Sequence, residues 1–554
     1  MSADQKSATG TTTNPNSTLA PLGVPVFRRM WIASLGSNFG GLIQGVGAAW
    51  MMTSISESAA QVALVQASTT LPIMLFSLVA GAVVDSFDRR RVMLCAQIFM
   101  AIVSVSLAVS AWMGLMTPWL LLMFTFLIGC GGAFNNPAWQ ASVGDIVPRD
   151  QVASAVLLNS VSFNVTRSVG PAIGGAIVAA AGAAATFAVN AFSYIGLIVV
   201  IWLWKPKRNP SALPRERLRA AMGTGVRYVA LSPNIMRVLL RGFVFGTTAV
   251  VVLALLPLVA RHLVQGNAVT YGILLGAFGV GAVVGAMVSR RIRERLSNET
   301  LVRAAFLAFA ICALVTAFST ELVITGIALI LGGASWVLAL SLFNTTVQLA
   351  TPRWVVGRAL SLYQMSIFGG MALGSWLWGS VAEATDLTVA LVIASIGMLA
   401  GALIGLKIPL LSNEILNLDP LNRWREPQVS VPVEPRSGPI TIAVEYRIAV
   451  EDQVKFHLAM IDRKQIRRRN GAQGWTLNQD MSDPDVWIER FRLPTWLDYV
   501  RLHSRTTQAD SNVIDLLNLL HRGSEPPKVR RMLEWKGRPV RIRPSEPDEP
   551  LVNQ

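Results

Sequence analysis

Apolar residues run in long blocks along this chain as far as Leu410 and then stop. A helix needs about 20 apolar residues to cross the hydrocarbon of a bilayer. Twelve such blocks begin near Trp31, Val62, Val92, Trp119, Val156, Ala183, Val238, Tyr271, Val302, Leu322, Leu360 and Leu387. The pattern predicts a six-helix bundle over 28–205, a cytoplasmic central loop at 206–237 punctuated by Pro206, Pro210 and Pro214, and a second six-helix bundle over 238–410. Residues 1–27, rich in Ser, Thr, Asn and Pro and without the apolar run of a secretory signal, read as a disordered tail. Insertion then falls to the first spanning helix.

Beyond Leu410 the pattern changes. A linker at 411–438, with Pro420, Pro427, Pro432 and Pro435, leads to Ile440–Ile448, where apolar residues alternate with period two as in a half-buried strand. Glu451 and Asp452 open a helix, and Arg467, Arg468 and Arg469 close it before Gly471, an order that complements the helix dipole. Strands at Trp475–Met481 and Val486–Phe491, helices around Thr495–Arg505 and Ser511–His521, and a last strand near Val529–Trp535 follow. The order β-α-β-β-α-β fits a small ferredoxin-like sandwich, a soluble α+β domain over 439–523 with a final strand and tail at 524–554. The expected fold is therefore an all-α membrane bundle of twelve transmembrane helices in two halves, followed by this domain.

Composition agrees: 52% of the 554 residues are hydrophobic and 14% charged, and the mean hydropathy is +0.48, too apolar for an ordinary soluble enzyme. The net charge of +16 does not imply nucleic acid, because residues 1–410 hold 26 Lys/Arg against 12 Asp/Glu, most of the excess in membrane loops, while 411–554 hold 22 against 20. The basic residues fall in alternate loops, at Arg89–Arg91, Arg149, Lys205–Arg237, Arg290–Arg303, Arg353 with Arg358, and Lys407, Arg261 in an intervening loop being the exception. By the positive-inside rule both termini and the central loop are cytoplasmic, in a multi-pass protein of the plasma (inner) membrane. The central-loop arginines either set topology or hold an amphipathic helix against head groups. Cys95, Cys130 and Cys312 lie in apolar segments without CxxC spacing, so no metal site or disulfide framework is expected.

The two bundles echo each other. Gly81–Arg91 and Gly285–Arg295 both close an apolar block, and the same spacing carries Pro148-Arg149 onto Pro352-Arg353 and Gly170 onto Gly374. Duplicated halves are a recurrent architecture of secondary transporters, because the seam between them can open to either side.

Gly81, Asp85, Arg89 and Arg90 resemble the loop between helices 2 and 3 of the major facilitator superfamily, Gly-x-x-x-Asp-Arg-x-Gly-Arg-Arg; Ser86 and Asp88 depart from it. The resemblance covers about 28–410. It implies that Asp85 meets the N-terminus of the eleventh helix and that Arg89 pairs with Asp145, a conformational latch including Gly81 and Arg90; Ser289 replaces the aspartate in the second half. Gly170, Pro171, Gly174 and Gly175 are similar to the Gly-Pro-x-x-Gly-Gly signature of exporting members, in the branch of enterobactin exporters and multidrug efflux permeases. Gly170 and Gly174, one turn apart, make a smooth packing face, and Pro171 permits a bend.

Arg167 lies inside a span, where a charge must face protein or water. It is either a binding group for an anionic solute or a structural strut; Arg241 is expected to snorkel to the interface. No Asp, Glu or His lies mid-span, so the coupling group is unassigned, with Asp85 and Glu57 as the carboxylates left. Asn38, Gln44, Asn136, Asn164, Asn344, Tyr363 and Gln364 are candidates, with Arg167, to line an amphipathic cavity.

The expected function is secondary active export of a small metabolite, siderophore or drug by alternating access, with a coupling ion, the proton being the candidate, and no cofactor. Without a GxxxxGK[ST] loop an ATP-driven pump is excluded. Alternatives are import, or a transporter-like receptor whose cytoplasmic domain regulates or catalyses. Gly474-Trp475, Asp483-Pro484 and Trp496…Arg501…His503 resemble antibiotic-biosynthesis-monooxygenase domains, which implies a dimerising or regulatory role, or acid–base work by His503.

Overall fold

Local sequence signals place most helix ends of the first unit. The computed structural model describes residues 19–205, 218–352 and 354–410 and then, after 411–416, residues 417–534 apart from 420, 422, 425 and 428; the side chains of Asp85, Ser86, Arg149, Ala153 and 218–221 also lie outside the described set. The expected tail at 1–18, the loop at 206–217 and the residues after 534 fall outside it too. The chain divides into two units, Met1–Leu416 and Asn417–Gln554.

In the first unit, α1 (Pro25–Ile55), α2 (Ala59–Ser86), α3 (Arg89–Trp112), α4 (Pro118–Ile146) and α5 (Val152–Leu203) make one half. A short α6 (Leu218–Ala230) precedes α7 (Pro233–Leu258), α8 (Ala268–Arg295), α9 (Asn298–Phe318), α10 (Leu322–Leu349), α11 (Val356–Ala384) and α12 (Leu387–Lys407) of the other. Ser58, Asp88, Thr117, Asn267, Ser297 and Asp386 each cap a helix by accepting a backbone N–H, satisfying donors a helix start leaves orphaned. The 52-residue α5 is two helices in sequence terms, because Gly182 takes φ +79°, a left-handed conformation that breaks it where the fifth and sixth apolar blocks meet. Among the described residues nine helices are long and apolar enough to cross a membrane, α5 counting once and the more polar α1 and α11 falling outside that set.

The halves repeat one packing plan. α1 packs on α5 as α7 packs on α11, α2 on α4 as α8 on α10, and α3 on the second arm of α5 as α9 on α12. Exchange of halves also relates the two long contacts of the seam, α5 with α8 and α2 with α11. Lipid supplies no hydrophobic drive between helices, so close backbone approach must hold them. A methyl on Gly175 would meet the Ala268 carbonyl oxygen at 2.5 Å, and one on Gly272 the Pro171 carbonyl oxygen at 2.6 Å. On α11, a methyl at Gly379 would lie 2.7 Å from Ala63 Cβ and 2.9 Å from Ala60 Cα of α2. Gly170 and Gly174 face α1 instead, against Leu42 and Val46.

α6 occupies part of the expected loop. It is amphipathic, but it lies on protein, with buried Tyr228 and Val229 and the Tyr228 ring edge-on to Trp354 at 5.6 Å.

The second unit is an antiparallel sheet in the order β2-β3-β1-β4, from β1 (Ile440–Arg447), β2 (Gln473–Gln479), β3 (Val486–Leu493) and β4 (Lys528–Leu533). Helices α13 (Gln453–Arg469), α14 (Trp496–Ser504) and α15 (Gln508–Leu520) accompany it. That order is the ferredoxin-like one, with a second helix before the last strand. Residues 417–437, expected as linker, hold on to this domain: Leu421 N–H donates to the Thr506 carbonyl at 2.9 Å, and Trp496 Nε1 to Glu426 Oε1 at 2.9 Å.

Replacing Gly175 by Leu should separate α5 from α8 and destabilise the bundle by about 1–3 kcal/mol, as overpacking does. Thermal unfolding of detergent-purified protein should show a lowered midpoint for Gly175→Leu, while Gly36→Ala, with nothing within 4 Å, leaves it unchanged.

Candidate functional site

Where polar residues converge inside an apolar bundle decides what it can hold. A cavity of about 390 Å³ lies on the seam, walled by α1, α2, α4 and α5 of one half and by α7 and α8 of the other. Its wall is largely apolar, with Leu42, Val65, Ile128, Phe163, Leu253 and Leu275. Polar points are Gln44, Gln66, Thr69, Thr125, Arg167 and Tyr271. Among the described residues of that wall Arg167 alone carries a formal charge. Its guanidinium stands 5.5 Å from the centre of the Phe278 ring, and no ion pair among the described residues includes it. Pro171, one turn along α5, lines the same cavity, so the seam packing and the charge share one helix face.

Other side chains are committed to packing. Gln44 Oε1 accepts from Ser104 Oγ at 3.0 Å and from Asn190 Nδ2, which also reaches Tyr194 Oη at 3.1 Å. Asn164 Nδ2 donates to the Ser160 carbonyl at 2.9 Å, Asn344 Oδ1 accepts from Gln348, and Tyr363 Oη donates to the Leu340 carbonyl at 2.9 Å. Asn38 and Asn136 are exposed and Gln364 is half-buried. Of the eight residues expected in the cavity, the structure brings Gln44 and Arg167 to it. Gln66, Thr69, Thr125 and Tyr271 were passed over; Gln66 and Thr69, three apart on α2 in an apolar run, were a readable signal.

Both ends of the seam carry polar ties. Ser58 Oγ donates to Glu383 Oε2 at 2.5 Å and the Ala60 N–H to the same oxygen at 3.1 Å, so a carboxylate at the end of α11 caps the start of α2. Arg261 Nη1 donates to the Thr53 carbonyl. At the far end Ser77 Oγ donates to the Ser361 carbonyl at 3.1 Å, and a methyl on Gly81 would lie 3.1 Å from Ser361 Oγ. Arg89 Nη1 lies 2.7 Å from Asp145 Oδ2 and 2.8 Å from the Ala141 carbonyl, joining α3 to α4. Arg90 donates to the Ile201 and Trp202 carbonyls, closing the last turn of α5. Asp88, where the superfamily has Gly, caps α3. The Asp85 side chain, expected at α11, lies outside the described residues.

Arg241 does not snorkel. It is fully buried, with Nη1 donating to the Gly401 carbonyl at 3.0 Å, Nη2 3.4 Å from Glu299 Oε1, and the Phe306 ring centre 5.2 Å away. Glu299 Oε2 in turn accepts the Leu410 N–H at 2.9 Å, so one ion pair clamps α7, α9 and α12. Expecting its charge to reach the interface overlooked Glu299, a partner at the start of the neighbouring helix.

The C-terminal unit has a cavity of its own, about 240 Å³, between the sheet and its helices. Glu489, fully buried, accepts Arg467 Nε at 3.2 Å and Trp475 Nε1 at 3.0 Å on Oε1, and Tyr446 Oη at 3.4 Å on Oε2. Burial alone would raise its pKa, but Arg467 and Arg463 outweigh burial and hold it below the usual range. His503 stacks on Trp424, ring centres 4.6 Å apart. Burial, and then the charges of Arg467, Arg463 and Arg531, push its pKa down to about 2. A ring kept neutral at physiological pH is no general acid in this state.

Two duplicated helical halves around a seam cavity with one charged wall residue define a multi-pass membrane transporter of the major facilitator fold. The chain belongs to the transmembrane secretion effector family, whose model matches residues 16–540. It is similar to an enterobactin exporter of Escherichia coli O1:K1 / APEC, 26% identical over 64% of this chain and 85% of the exporter. It also resembles the multidrug efflux pump Tap of Mycolicibacterium fortuitum, 24% identical over 68% and 94%. A staphyloferrin A transporter of Staphylococcus aureus (strain NCTC 8325 / PS 47) is 23% identical over 48% of this chain, and the chain spans 64% of that relative's length. Among solved structures, the nucleoside transporter NupG superposes with a TM-score of 0.57 at 11% identity, over 69% of this chain and 100% of that one. A bacterial homolog of the lysosomal transporter Spinster gives 0.53 at 14%, over 70% and 95%.

Removing Arg241 alone leaves the half-buried Glu299 without its cation. Arg241→Met should cost about 3–5 kcal/mol and lower the thermal midpoint of the purified protein, while Arg241→Met with Glu299→Gln recovers part of the loss.

Proposed function

We propose that the protein is a secondary active exporter, and that its solute is a small amphipathic molecule carrying negative charge. One observation carries this: a guanidinium without a carboxylate partner, Arg167, on the wall of an otherwise apolar cavity shared by both halves. Holding a lone, half-buried cation on an apolar wall is costly, and an anionic guest held by its planar fork of donors offsets that cost. Tyr271, Gln66, Thr69 and Thr125 supply the few polar contacts that orient a guest, and the apolar wall takes its body. The relatives, two of them siderophore transporters and one a multidrug pump, support export of a siderophore or drug-like metabolite.

In this reading twelve spans cross the membrane with both termini and the central loop in the cytoplasm, as the alternate basic loops support. The end of the seam bearing Ser58, Arg261 and Glu383 then faces outward and is tied shut. Gly81, Asp85, Arg89, Arg90 and Asp145 form the latch of the cytoplasmic end, Arg89 with Asp145 holding α3 to α4. Gly170, Pro171, Gly174 and Gly175 form the packing face on which α5 turns against α1 and α8. The driving force is an ion gradient, the proton being the candidate, with Asp85 and Glu57 as the carboxylates available for coupling. Dimerisation belongs to the C-terminal sheet.

The test compares cells that lack the protein with cells that carry it or its Arg167→Gln variant at matched membrane levels, by mass spectrometry of retained anionic metabolites. The protein should lower retention of at least one such solute, and Arg167→Gln should cut its efflux rate tenfold or more, with Arg167→Lys intermediate. Equal retention in all strains would overturn export.

A further inference from the structure

The C-terminal cavity contains an unmatched cation as well, and nothing in transport across the bundle uses it. Arg463 and Arg467 are both more than nine-tenths buried, and they share a single buried carboxylate. Glu489 spends both oxygens on Arg467, Trp475 and Tyr446, so Arg463 Nε stays 3.7 Å from Oε2 and has no hydrogen-bond partner. Arg531, on the wall formed by β4, adds a third guanidinium, held by Tyr499 Oη at 2.8 Å. Among the described residues the other carboxylate at this place is Asp515, on the wall of an adjoining cavity of about 320 Å³ and paired with Arg423. The balance inside is therefore positive, and burial together with that field keeps the His503 ring neutral.

The rest of the wall suits a flat guest. The sheet floor is Ile442, Val444, Phe491 and Val529, and above it stand the rings of Tyr499, His503 and Trp424. Trp424 lies parallel to His503, 2° between their planes, and lines both cavities together with Arg463, Arg467, His503 and Asn518. A guest that replaced Trp424 on His503, or slid beside it, would stack on a ring and bring an acid group to Arg463. Trp424 belongs to the stretch that joins α12 to the sheet in sequence.

We propose that this cavity is a ligand site for a small planar organic anion, an aromatic or conjugated carboxylate, seated between Arg463 and the Trp424–His503 stack. The proposal stands apart from the transport reading, since it needs no residue of the membrane bundle.

The test uses the full chain purified in detergent, with benzoate and salicylate as probes, benzamide as the uncharged control and isothermal titration together with saturation-transfer NMR as readouts. The carboxylates should bind at least tenfold more tightly than benzamide. Arg463→Gln should weaken them tenfold or more, Trp424→Ala should change their affinity, and Arg167→Gln should leave it as it was. Thermal unfolding identifies any variant that fails to fold, and Asn518→Ala, at an exposed position on both walls, then serves as the second probe of the same site, with weaker carboxylate binding expected. Equal affinity for benzamide, carboxylate binding unchanged in folded Arg463→Gln or in Asn518→Ala, or loss of binding in Arg167→Gln would each overturn the proposal. The last result would assign the signal to the membrane cavity.

Discussion

Backbone-to-backbone contact across the seam is the constraint on which the rest of this protein depends. Inside lipid, apolar side chains gain nothing by leaving hydrocarbon for one another, so helices associate where small residues let main chains approach. Gly175 against Ala268, Gly272 against Pro171 and Gly379 against Ala60 are such places, and they draw α5 to α8 and α2 to α11. The cavity follows from that packing. Arg167 sits two turns before Gly175 on α5, so the helix that makes the tight contact also delivers the charge to the space beneath it.

Buried arginines sort by what surrounds them. Arg241 has a carboxylate and a carbonyl, and it works as a strut for three helices. Arg467 has Glu489 and the Phe491 ring, 4.4 Å from its guanidinium to the ring centre. Arg167 is half-buried with no carboxylate partner, Arg463 has only a share of Glu489 at 3.7 Å, and each borders a cavity. A cation held away from water with too little opposing charge is costly enough that its environment should supply a partner, and in both places the space for a guest is already there.

Much of this was legible in the residues. Apolar blocks marked the spans, the repeated Gly81 and Gly285 stretches marked the two halves, and period-two alternation at Ile440–Ile448 with the charged ends of the Arg469 helix gave the ferredoxin-like order. Those signals are local, one block or one helix at a time. What stayed hidden depends on partners far apart in sequence. Glu299 makes Arg241 a core residue across 58 positions, and Glu383 reaches back to Ser58 across 325. The amides Asn164 and Asn344 read as lining because they are polar within apolar spans, yet each makes a hydrogen bond within its own helix. The segment around Trp424 read as linker because of its prolines, although a tryptophan there was a hint that it packs.

If the halves work as rigid bodies about the Arg167 cavity, tying one end of the seam must stop transport. The direct measurement places cysteines at Ser58 and Glu383, in a background with Cys95, Cys130 and Cys312 replaced, bridges them with a short thiol cross-linker, and follows efflux of the identified solute from proteoliposomes. Efflux should cease in the bridged protein and return when a cleavable bridge is reduced. Undiminished efflux through a protein shown to be fully bridged would contradict alternating access at this seam.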